Sequence, residues 1–72
     1  MTESEARAIL LKNMEKGTDH EYPHAWVGNL IAENNDSFCF EAGIYAEGED
    51  PREDCGHWGV VKADGRCVLD ME

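Results

Sequence analysis

Trp58-Gly59-Val60-Val61-Lys62-Ala63-Asp64-Gly65-Arg66-Cys67-Val68-Leu69-Asp70-Met71 is the stretch on which the fold turns. An Asp-Gly pair between two alternating, β-branched runs is a strong short-range signal for a hairpin, because a type I′ loop needs positive φ at both central positions. A two-residue loop at Asp64-Gly65 sets Trp58 opposite Met71, Val60 opposite Leu69 and Lys62 opposite Cys67. Those pairs share one face, and that face is the apolar one. Register and hydrophobic pattern therefore agree.

Moving outward, residues 24–33 alternate, Asn34-Asn35-Asp36 supplies a tight turn, and residues 37–46 run back. A loop at Asn34-Asn35 or at Asn35-Asp36 pairs odd positions of the first strand with even positions of the second. Val27, Ile31, Phe38, Phe40, Ala42 and Ile44 then form the core face. Trp26, Leu30, Cys39, Glu41 and Tyr45 take the other side.

The N-terminal end is helical. Thr2-Glu3-Ser4-Glu5 has the capping-box pattern, and good helix formers follow it as far as Lys16. Ala6, Leu10 and Met14 recur at i, i+4 and i+8, widened by Ile9 and Leu11, and Gly17 follows as a stop signal. Pro23 holds Tyr22 out of helical space. The expected fold is α+β: one N-terminal helix, about 2–16, packed on a four-stranded antiparallel meander. Its strands are about 24–33, 37–46, 57–63 and 66–71, and residues 1–72 form one domain.

Sixteen acidic against six basic residues leave a net charge of −10. Nucleic acid is excluded as a partner, since phosphate binding rests on Lys and Arg releasing counterions. An anionic membrane surface is excluded for the same reason. The opening residues carry no apolar targeting segment, no apolar run reaches membrane-spanning length, and three cysteines do not make a closed disulfide framework. A reduced cytoplasmic setting is expected. Cys55 and Cys67 would stand ~23 Å apart in extended strands, beyond the reach of a disulfide. Cys39 and Cys67 fall on opposite faces. Cys67 reads as a small buried hydrophobe.

His20, His24, Cys55 and His57 are the candidate metal ligands, because strands one and three begin at the same end of a meander. Zinc asks for four such ligands in a tetrahedron. The spacing opposes it: Pro23 breaks the His20/His24 pair, Cys55-x-His57 is not a knuckle, and the second strand intervenes. A Cys55/His57 nucleophilic dyad is weaker, for a catalytic thiol needs electropositive surroundings and Cys55 follows Glu49, Asp50, Glu53 and Asp54. No cofactor and no catalytic residue are expected.

Two features point to a protein partner. Glu47, Glu49, Asp50, Glu53 and Asp54 concentrate charge in one loop, which would dock a basic surface. Trp26, Leu30, Tyr45, Val61 and Val68 would remain on the uncovered sheet face, and such a patch marks an interface, including a homodimer. The Ser4-Glu5-Ala6-Arg7 helix and the residue 58–66 hairpin resemble parts of small bacterial toxin-immunity domains, over about half the chain. That resemblance implies a stoichiometric, non-catalytic inhibitor of a partner toxin and carries no functional residue with it. The expected function is a non-enzymatic protein-binding module for a basic partner, with a small zinc-binding protein as the alternative.

Overall fold

The structure, a computed structural model, describes residues 1–53 and 55–70. It is an α+β fold: helix α1 (Glu3–Lys16) is followed by strands β1 (His24–Glu33), β2 (Ser37–Tyr45), β3 (Gly56–Val61) and β4 (Cys67–Asp70). They form one antiparallel sheet in the order β1-β2-β3-β4, the expected meander. No helix among the described residues is long and apolar enough to cross a membrane.

The capping box forms as its sequence demands. Thr2 Oγ1 accepts from the Glu5 amide at 3.2 Å, and the Glu5 carboxylate accepts from the Thr2 amide at 2.8 Å. These hydrogen bonds hold the Glu5 carboxyl below its ordinary range. The helix sets Ala6, Leu10 and Met14 onto Phe38, Phe40, Ala42 and Val60, and these seven side chains are the buried core. It lies over β1 and β2 and reaches part of β3.

Strand β1 departs from the expected register in an instructive way. At its start Trp26 pairs with Gly43 and Val27 with Ala42, the register of an Asn34-Asn35 loop. At its end Ala32 pairs with Cys39 and Glu33 with Phe38, the register of an Asn35-Asp36 loop. The turn itself follows the second choice. Asn34 N donates to Ser37 O at 3.0 Å, and Asn34 Oδ1 accepts from the Asp36 and Ser37 amides. The two registers differ by two residues, so β1 carries two irregularities, between Val27 and Leu30 and between Leu30 and Ala32. Each one reverses the side-chain alternation. Between them Leu30 pairs with Phe40 and turns toward the helix, while Ile31 is thrown outward, 44 % exposed. The expectations of Ile31 in the core and Leu30 on the outer face are both overturned. Arg7 caps the first irregularity, its Nη1 donating to the Gly28 carbonyl.

The closing hairpin keeps its expected faces with a different loop. Trp58 pairs with Leu69 and Val60 with Cys67, a shift of two residues that preserves side-chain parity. Asp64 has no positive φ; among the described residues only Gly48 and Gly65 do, so a type I′ turn is excluded. The connection is instead a four-residue loop, Lys62 to Gly65. Gly65 N donates to Val61 O at 2.7 Å and Val61 N to Arg66 O at 2.8 Å. Gly65 supplies the left-handed residue, at φ 74°. The expected partner of Trp58, Met71, lies outside the described residues.

Candidate functional site

The expected partner-binding side chains on the outer face are dispersed. Leu30 packs toward the core. Trp26 stays on the outer face but is half-buried. Its indole lies so close over Gly28 that an added Cβ there would stand 2.5 Å from the ring, and the Arg52 guanidinium sits 5.9 Å from the ring centroid. Tyr45 packs against the His24 ring, centroids 5.1 Å apart. Val68 is left exposed, at 47 %, with Val61 half-buried nearby.

The acidic loop is a folded connection rather than a loose one. Glu49 Oε1 accepts from the Ala46 amide at 3.1 Å, and Glu49 N donates back to Ala46 O. Asp50 Oδ1 accepts from the Arg52 amide at 3.0 Å. Glu47 contacts His24 Nε2. Glu53 is exposed, and Asp54 lies outside the described residues. Two of the carboxylates thus hold the loop's own turns as well as carrying its charge.

The histidine and cysteine candidates do not assemble. His24 begins β1 beside Tyr45, His57 stands on β3 opposite Glu41, and β2 separates them. His20 is exposed in the connector. Cys55 donates to the Glu41 carboxylate, Sγ to Oε2 3.9 Å, and to Arg52 O at 3.4 Å. Among the described residues no three His, Cys, Asp or Glu side chains come together as metal ligands. All three cysteines are thiols. Register puts Cys39 on the face opposite Cys67, as expected. Cys67 packs against the core, and burial pushes its thiol up from the ordinary cysteine value, with Lys16 pulling more weakly the other way.

An apolar concavity arises where the helix stops covering the sheet. Because α1 lies over β1 and β2, the inward side chains of β3 and β4 at one end of the sheet lack a lid. Trp58, and Leu69 at 43 % exposed, face a groove of about 510 Å³, walled by Asn13, Met14 and Gly17 on the helix and by Ala42, Ile44 and Gly56 on the sheet. The lining is mostly apolar. Ile44 ends one side of the groove and Cys55 the other, and the acidic loop is the chain that joins them. Of that loop Cys55 alone lines the groove, and Glu47, Glu49, Asp50 and Glu53 are not among its walls.

Sequence reasoning placed Trp58 and Leu69 on the core face and missed the groove. No local signal could reveal it, since it depends on how far sideways the helix reaches. No protein-family model, curated protein or solved structure matches this chain.

Proposed function

We propose that this domain is a non-enzymatic protein-binding module. Its groove seats an apolar anchor of the partner, and its acidic loop meets basic residues around that anchor. The observation that carries the reading is an uncovered apolar floor, Trp58 and Leu69, in a groove that the acidic loop reaches at its last residue, Cys55. Interfaces draw their energy from a few desolvated apolar or aromatic contacts, while charge sets encounter rate and partner choice. A groove and a charged loop divide those two tasks. The resemblance to toxin-immunity domains fits the same picture, with a basic toxin as the partner and stoichiometric inhibition as the outcome. Three thiols suit a reducing compartment such as the cytoplasm. Self-association through the outer face is not part of this reading, because Leu30 has turned inward and Arg52 covers Trp26.

The test is capture from the native cell, comparing the protein with two variants. Leu69→Asp places a charge on the groove floor at an exposed position. Glu49→Gln with Asp50→Asn and Glu53→Gln neutralises the acidic loop while keeping the carbonyl oxygens that cap the loop's turns. A basic protein held by the parent, lost with Leu69→Asp and slowed in association by the amide variant is expected. Capture that ignores both variants would sink the proposal.

A further inference from the structure

The six cations of this acidic chain fall into two groups. Arg7 pairs with Glu3 at 3.5 Å and lies over Phe40, Lys62 pairs with Glu33 at 2.9 Å, and Arg52 lies over Trp26. The remaining three, Lys12, Lys16 and Arg66, have no carboxylate within ion-pair distance among the described residues. All three line one pocket of about 400 Å³, together with Ile9, Asn13 and Cys67. Lys12 and Lys16 come from the helix face that also presents Ile9 and Asn13, at spacings i, i+3, i+4 and i+7. Arg66 comes from the β3–β4 turn. The nearby Asp64 carboxylate is engaged by the Arg66 amide at 3.0 Å. The negative end of the helix accounts for Lys12 and Lys16 near its C-terminus. It does not account for Arg66, which a different element brings to the same place.

This basic pocket adjoins the apolar groove. Asn13 lines both, and along β4 the inward side chains alternate from Cys67 in the first to Leu69 in the second. The cleft between α1 and β4 thus has three cations at one end and an apolar floor at the other. Such an order selects a ligand with an oxyanion at one end and an apolar body, and it fixes which way round the ligand lies. We propose that the cleft binds a small amphipathic carboxylate, its head held by Lys12, Lys16 and Arg66 with Asn13, its chain lying toward Met14, Trp58 and Leu69. This goes beyond the protein-binding reading and does not require it. Both occupants would use the same apolar floor, so they would exclude one another.

Octanoate, below its micellar concentration, is the probe, followed by amide chemical shifts and the Trp58 indole signal. Saturable shifts are expected at Asn13, Lys16, Arg66, Cys67 and Trp58. Acetate should move only the basic end, and octylammonium should not saturate. Removing one exposed cation should weaken octanoate by up to about five-fold, so Lys12→Gln with Lys16→Gln should weaken it several-fold. High salt should weaken it as well. These two lysines are exposed, and unchanged β1 and β2 amide signals would show that the variant is folded. Octanoate binding no better than octylammonium, or binding equally to the double variant, would overturn the proposal.

Discussion

Cys67 shows how one buried side chain can couple the fold to pH. Its Sγ sits against the core and the Gly65 carbonyl, where the thiolate would lose its hydration. Burial therefore raises the thiol above the value it has in the unfolded chain, and the weaker opposing pull of Lys16 does not reverse this. In the window between the two values the folded state binds more protons than the unfolded one, so stability falls as pH rises. The contribution is fully present below the unfolded value of about 8.5 and is lost as pH climbs through the folded one. Denaturant unfolding from pH 7.5 to 10 should show a steeper loss for the parent than for Cys67→Ala. Identical slopes would mean that the thiol meets water in the folded state.

At the scale of the element, β1 is the informative case. Its ten residues satisfy two incompatible registers, one at each end, by means of two irregularities that invert the alternation between them. Leu30→Ala should then destabilise by about 2 kcal/mol, as a partly buried leucine packed against Phe40. Ile31→Ala, on an exposed side chain, should stay within about 0.5 kcal/mol. The unbroken alternation read from the sequence demands the reverse order, so urea unfolding of the two variants decides between them. This strand also marks the limit of what the sequence could disclose. The helix and its cap were legible because they rest on contacts a few residues apart, and the meander because its turn signals and alternating runs follow one another along the chain. Both candidate loops at Asn34 to Asp36 describe one end of β1 correctly, and nothing local could say that both apply. The Asp-Gly pair likewise marked the turn and the faces but not the loop length, since Gly65 alone takes positive φ. As for the site, Lys12 and Lys16 could be placed on one helix face from spacing alone. That Arg66 joins them, and that Trp58 faces an open groove, follows from where α1 ends its cover of the sheet.

For the whole molecule, the net charge of −10 acts on the fold and on the proposed partner in opposite directions. Seventy-two residues bury little surface from which to offset self-repulsion. Among the described residues only Arg7 and Lys62 of the Lys and Arg side chains are within ion-pair distance of a carboxylate, and both pairs are partly exposed to solvent, where such pairs contribute little. Most of the negative charge is therefore unopposed, and the acidic loop is where it is densest along the chain. Added salt shortens the Debye length from about 10 Å at 0.1 M to about 3 Å at 1 M. Screening on that scale should weaken repulsion among the carboxylates and raise the melting temperature, by several degrees if about 1 kcal/mol is recovered. Chloride, which does not strengthen hydrophobic burial as sulfate does, is the salt to use. Replacing Glu49, Asp50 and Glu53 by their amides should raise the melting temperature at low salt and flatten its rise. The same screening should slow association with a basic partner, because long-range attraction steers the encounter. Dissociation should change less, being set by contacts on the Trp58 and Leu69 floor. Thermal unfolding and stopped-flow binding over one chloride series would show stability and association rate moving apart. A melting temperature indifferent to chloride would show that the carboxylates are too well separated to strain the fold.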